Sequence, residues 1–208
     1  MINQISQRTA VFLCNLTDRN KEVEYVRYGL EIIIGAILKG FTLLGLAYIL
    51  GFIIPMLGVF ITFAVFRSLT GGHHYSTYSR CLFSGVIIFL SISFASTKLV
   101  NIISSEKYVV LLLLSVLFGL LLAYFYAPSN HFYKKMSERQ LEKLRKLSLF
   151  FIFLWGGIIY FLHTKFGLQE WILASILGFI AQLSSIHPIT YKFVERMEEF
   201  INRMEGIK

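Results

Sequence analysis

Two histidines and a cysteine share one polar interval, Arg67-Ser-Leu-Thr-Gly-Gly-His-His-Tyr-Ser-Thr-Tyr-Ser-Arg-Cys81-Leu-Phe-Ser-Gly85, set between long apolar runs. A thiol beside an imidazole is the minimum set for a cysteine nucleophile: the ring takes the thiol proton, and the ion pair that results favours the thiolate. His74 precedes Cys81 by seven residues and His73 by eight. In a straight helix seven residues rise about 10.5 Å, beyond the hydrogen-bond reach of these side chains. A working pair therefore requires the chain to bend between them.

Gly71 and Gly72 permit backbone conformations that other residues avoid, and the Ser/Thr/Tyr run that follows reads as a loop, so a bent or re-entrant approach to Cys81 is expected. Cys81 then falls near a helix N-terminus. That position supplies unpaired N–H groups and the positive end of the dipole, which favour a thiolate and could stabilise a tetrahedral oxyanion. Arg67 is a candidate partner for a substrate carboxylate, and Arg80 for the local field. No acid lies between Arg67 and Gly85; Ser76, Asn130 and Glu31 are candidate orienting groups. A plainer reading stands beside this one, because a free Cys is commonly a packing residue, a loop His a solvated one, and Gly-Gly a turn. A metal site from His73, His74, Cys81 and His131 has no HExxH or paired-Cys spacing behind it, and no cofactor is called for.

The elements that must position this segment are membrane spans. The hydrophobic fraction is 56% against 15% charged residues, and the mean hydropathy is +0.66, more apolar surface than a soluble core of 208 residues can hide. The sequence predicts an all-α polytopic membrane protein of about six transmembrane helices, with amphipathic helices at both ends and a single integral domain over 1–208. Residues 1–27 read as an interfacial N-terminal helix, with Ile2, Ile5, Phe12, Leu13 and Leu16 at helical spacing and a charged aqueous stretch from Asp18 to Arg27. Met1 to Arg27 holds no continuous apolar core of the kind a signal peptide has.

Tyr28–Leu50 and Phe52–Phe66 read as two spans turning at Gly51; one long span over Phe41–Phe66 is the alternative. Glu31 and Lys39 are eight residues apart, near one face of the first span, pointing into a polar interior or toward the interface. Cys81–Val100, rich in Ser, Tyr108–Ala127, Leu147–His163 and Trp171–Ile186 complete the set, with Trp155, Tyr160 and Trp171 as candidate interfacial anchors. Residues 128–146 form the most basic loop, with Lys134, Lys135, Arg139, Lys143, Arg145 and Lys146. Residues 187–208 read as an amphipathic C-terminal helix lying on the membrane, its apolar face made by Phe193, Val194, Met197, Phe200, Ile201 and Met204.

Six spans place every Lys and Arg on one side except Lys98, Lys107, Lys165 and the intra-span Lys39. By the positive-inside rule that side is cytoplasmic, and it carries both termini and the 67–85 segment. The net charge of +8 is thus a matter of topology and does not point to nucleic acid. Cys14 and Cys81 are the only cysteines and lie far apart, so no disulfide framework or CxxC site can be drawn. Cys14 is expected to pack on the apolar side of the first helix.

The run from Arg67 to Cys81 resembles the hallmark segment of the accessory gene regulator B (AgrB-like) family of membrane cysteine endopeptidases. The family pattern is an Arg, a Gly two before a His, and a Cys seven after that His, matched here by Arg67, Gly72, His74 and Cys81. The run Ala127-Pro-Ser-Asn-His-Phe-Tyr-Lys-Lys-Met-Ser-Glu-Arg is similar to the family's Pro-plus-basic loop, with Lys135 where a Pro is expected.

The resemblance implies a His74–Cys81 dyad supported by Arg67 and Gly72, acting on an AgrD-type propeptide with an amphipathic leader, a signal core and an acidic tail. Cleavage after the core would pass through a Cys81 acyl-thioester, and a Cys or Ser of the peptide would then close a thiolactone or lactone. The basic residues from Lys134 to Lys146 would attract the acidic tail. The lipid bilayer is the other implied partner, and a homodimer a candidate assembly. A small membrane transporter or scaffold, with Glu31, Lys39 and the histidines along a path and Cys81 structural, is the competing reading.

Overall fold

The computed structural model describes residues 2–73, 75–129 and 137–206, and every regular element among them is helical. Packing divides the chain into two compact units, residues 1–46 and 47–208. The first unit holds α1 (Ile2–Leu16), a 3₁₀ turn at Asn20–Glu22 and most of α2 (Val23–Ile49). Helix α1 stops where Asp18 turns left-handed at φ 52° and the Arg19 N–H returns to the Cys14 carbonyl at 3.0 Å. The charged stretch expected to run in water to Arg27 is helical from Val23 onward. Arg27 there reaches Glu24 and Glu31, each at 2.8 Å, so Glu31 is paired one turn along its own helix.

Helix α2 ends at a turn in which Gly51 has φ 76° and the Phe52 N–H bonds the Ala47 carbonyl at 2.8 Å. This is the two-helix solution for 28–66, not one long span. The second unit then carries α3 (Ile53–Thr70), α4 (Tyr78–Leu99), α5 (Ser105–Tyr126), α6 (Glu138–Phe166), α7 (Gln169–Ser184) and α8 (Pro188–Met204). Five described helices, α2 to α6, are long and apolar enough to cross a membrane, and α7 with α8 makes a sixth candidate bent by 80°. The exterior agrees: on α5, Leu113, Leu117 and Leu121 are each more than half exposed, the arrangement of a helix whose solvent is lipid.

The centre of this unit is α7, the helix with the most extensive burial, from Ile172 to Leu183. It meets α3 backbone to backbone. A Cβ on Gly58 would stand 2.5 Å from the Trp171 carbonyl oxygen, and one on Gly178 would stand 3.0 Å from the Val59 Cα. The Ser175 hydroxyl donates to the Gly58 carbonyl at 3.3 Å across the same contact, as small-residue interfaces in lipid allow. Toward the site, Phe179 stacks on Trp155 at 4.2 Å and meets Phe66 edge-on at 4.7 Å. Trp155, expected at the interface, is instead an internal packing residue, because its ring fills the space between α3 and α7.

One end of the unit gathers the site. The Ser129 N–H donates to the Thr70 carbonyl and Arg145 Nε to the Ala127 carbonyl, both at 3.0 Å, joining the ends of α3 and α5 to the start of α6. Lys98, Lys107 and Lys165 sit at the opposite helix ends. Residues 138–146, expected in a loop, are the opening turns of α6, started by a capping box between Ser137 and Gln140. His187 caps α8 by accepting the Ile189 N–H at 3.2 Å, and Tyr126 packs on its ring.

The glycine contact between α3 and α7 predicts that Gly178→Val lowers the thermal midpoint of the detergent-solubilised protein, with an overpacking cost of about 1–3 kcal/mol. Gly157→Val, at a position with open space around it, should leave the midpoint in place.

Candidate active site

Helix α3 ends at Thr70 because Gly71 takes φ 72° and returns its N–H to the Arg67 carbonyl at 3.0 Å. Gly72 follows at φ 137°, a conformation that side-chain-bearing residues rarely adopt. Helix α4 restarts at Tyr78 with Thr77 as N-cap, its hydroxyl accepting the Arg80 N–H at 3.4 Å. Residues 71–73 and 75–77 therefore leave the helical path, as the spacing argument required. Cys81 sits in the first turn of α4, half-buried, its N–H bonded to the Thr77 carbonyl at 3.1 Å. His74 lies outside the described residues.

Arg67 is the inner support of the bend. Its side chain folds under the loop, with Nη2 donating to the His73 carbonyl and Nη1 to Ser185 Oγ at 3.5 Å. Gly72 makes room for it: a Cβ there would run into Nη1 and stand 2.7 Å from Ser185 Oγ. The guanidinium also interacts electrostatically with Cys81 and Tyr191. Arg67, expected to meet a substrate carboxylate, is thus occupied with the protein's own backbone.

Two residues that the sequence reading missed complete this floor. Gln182, fully buried on α7, donates through Nε2 to the Gly71 carbonyl at 2.8 Å and to Thr70 Oγ1 at 3.1 Å. Ser185 donates its hydroxyl to the Gln182 carbonyl at 2.7 Å. The available signal was a lone amide in the apolar run 171–186, since a polar group at such depth is retained only with partners.

The outer side of the segment belongs to α8. The His73 ring lies edge-on to Tyr75 and Tyr191, at 5.5 and 5.9 Å. Ser76, a candidate orienting group, is itself held by Glu198, and Arg80 is held by Glu205. Of the other candidates, Glu31 pairs with Arg27, while Asn130 and His131 lie outside the described residues.

The described members of the basic set lie on α6 and not on the bend itself. Arg139, Lys143 and Lys146 line an open groove along α6 over Leu147 and Phe150, with Lys146 paired to Glu142 at 2.7 Å. Arg145 is turned to the Ala127 carbonyl, so it serves the fold. Lys134 and Lys135 lie outside the described residues.

Removing the two donors of Gln182 at constant bulk, as in Gln182→Leu, strands the Gly71 carbonyl at a cost of about 1–3 kcal/mol, or roughly ten- to hundredfold in a local opening equilibrium. Hydrogen-exchange mass spectrometry should show that acceleration in peptides covering 71–77 and not in those covering α5.

One family profile, described as accessory gene regulator B, matches residues 1–186, which takes in α1 to α7 and the whole 67–85 segment. No curated protein and no solved structure matches the chain. A multi-pass helical unit and the Arg67-to-Cys81 bend both fall within the matched residues. The chain belongs to the accessory gene regulator B family, whose members are membrane-embedded and process quorum-sensing propeptides.

Proposed function

We propose that the chain is a membrane cysteine endopeptidase in which Cys81 is the nucleophile and His74 its base. The observation that carries this reading is the break in helix between Thr70 and Tyr78, which puts Cys81 in a first helical turn beside a loop that Arg67 and Gly72 hold in place. In sequence His74 falls between those two helices. The substrate is a short AgrD-type propeptide with an amphipathic leader, a core containing Cys or Ser, and an acidic tail.

His74 takes the thiol proton and the thiolate adds to the carbonyl at the end of the core. The positive end of α4 favours the oxyanion. As the C–N bond breaks, the imidazolium returns the proton to the leaving amine and the acidic tail departs. The core stays as an acyl-thioester. Attack by the peptide's own thiol or hydroxyl expels the Cys81 thiol and closes the ring. Thioester exchange is nearly isoenergetic, and a nucleophile on the same chain has a high effective concentration, so cyclisation outruns hydrolysis in a site that excludes water.

Arg139, Lys143 and Lys146 offer the acidic tail a basic face at the same end of the unit. Lys134 and Lys135 belong to the same proposal. The segregation of basic residues supports a cytoplasmic site and cytoplasmic termini. Helix α8 lies along the membrane surface, as its 80° bend from α7 and its exposed apolar stripe suggest.

Cys81→Ala and His74→Ala should each lower propeptide cleavage in membranes by at least about a thousandfold, while His73→Ala, whose backbone carbonyl is the group Arg67 uses, retains most of it. Cleavage that survives Cys81→Ala would sink the nucleophile assignment. Charge reversal at Arg139, Lys143 and Lys146 together should raise KM about tenfold for an acidic-tailed peptide and flatten its salt dependence, with a neutral-tailed peptide unaffected.

A further inference from the structure

Helix α8 and Glu205, the residue that caps its C-terminus, present three side chains to the catalytic segment at a spacing of seven residues. Tyr191 sets its ring against His73. Glu198 Oε1 accepts two bonds from Ser76, from the backbone N–H at 2.6 Å and from the hydroxyl at 2.8 Å. Glu205 Oε2 accepts from Arg80 Nη2 at 2.7 Å, and Arg80 Nη1 donates onward to Ser76 Oγ at 3.4 Å. Seven residues are close to two turns, so the three stand on one side of α8 and meet 73, 76 and 80 in chain order. The apolar set Ile189, Phe193, Met197, Phe200 and Met204 occupies the other side and is exposed. All of α8 lies beyond residue 186, where the family match ends.

Ser76 directly precedes Thr77, the N-cap of α4, and Cys81 is one turn further on. A carboxylate that holds both polar groups of Ser76 fixes the angle at which the chain enters α4, and with it the place where the Cys81 side chain emerges. Bonds to an ionised acceptor are roughly twice as strong as neutral ones, and here two converge on one oxygen. Glu205 is half exposed, and an ion pair so placed contributes less. The Ser76–Glu198 bonds are solvent-exposed as well, so Glu198 ranks first by its two bonds to the residue next to the N-cap and not by burial.

We propose that Glu198, backed by Glu205 on Arg80, is the positioning residue that sets Cys81 relative to the 71–77 loop. It touches no reacting atom. For activity the proposal rests on Cys81 being the nucleophile.

The test uses full-length protein with Cys14→Ser, reconstituted in lipid vesicles, and reads iodoacetamide alkylation of Cys81, quantified on the Cys81 peptide by mass spectrometry, at pH about 9.5. That is above the ordinary thiol pKa of about 8.5, so the rate reports access to the sulfur. Glu198→Ala should speed alkylation about tenfold; Glu198→Gln, which keeps an acceptor, should change it less than about threefold. The exposed Glu199→Ala should match the parent, and the thermal midpoints of all four proteins should agree. With a synthetic propeptide bearing an amphipathic leader, a cysteine-containing core and an acidic tail, Glu198→Ala should lose about tenfold in kcat with KM unchanged.

Alkylation of Glu198→Ala at the parent rate overturns the proposal, as does Glu198→Gln reacting as fast as Glu198→Ala. Should Glu198→Ala fail to fold, Glu198→Asp, shorter by one methylene, carries the test with the same two outcomes. Alkylation needs no substrate. A parent protein that cleaves nothing would therefore count against the peptidase reading and leave the positioning result standing.

Discussion

A guanidinium drawn under a loop at the end of a membrane helix must find acceptors inside the protein, because lipid supplies none. Arg67 finds them in the His73 carbonyl and Ser185 Oγ. The rest of the site follows from that demand. The loop must turn its carbonyl inward at residue 73, so residue 72 must pass over the guanidinium with no side chain of its own. The fold then needs a polar group on α7 at the same depth, and Gln182 and Ser185 supply it. Arg67 and Gly72 are one device made of two residues.

That device is only as firm as its base. Helices α3 and α7 meet backbone to backbone at Gly58 and Gly178, and nearer the site Phe66 and Phe179 pack ring against ring between them, so the end of α3 and the end of α7 form a single platform. The bend stands on this platform from within and is met by α8 from outside. Tyr191 meets the ring of His73, whose carbonyl Arg67 holds, while Glu198 and Glu205 hold Ser76 and Arg80 further along the segment.

Much of the fold was legible because lipid imposes simple rules: apolar runs of sufficient length, glycines at turns, and charges sorted to one end. The helix-breaking role of Gly71 and Gly72 and the placement of Cys81 at a helix start were read from residue types alone. Other features were hidden for physical reasons. The first turns of α6 are as charged as a loop, and only the Ser137–Gln140 capping box marks them as helix. Trp155 carries the ring chemistry of an interfacial anchor, and its neighbours in space, Phe66 and Phe179, decide otherwise. Arg67 looked like a ligand for substrate because its backbone partner lies only six residues on, a contact that needs the φ of Gly72 to exist. The polar face of α8 could be seen as polar, but periodicity does not say what such a face touches.

Helix α7 has 16 residues and rises about 24 Å, whereas the hydrocarbon layer of a bilayer is about 30 Å thick. A span this short is accommodated by thinning the lipid around it or by leaving one of its ends below the headgroups. The end that carries Gln182 and Ser185 also holds the floor of the bend. Where the second applies, the 67–85 segment lies nearer the apolar layer, at the height of material that travels in the plane of the membrane, and is reached by lateral diffusion more directly than from bulk water.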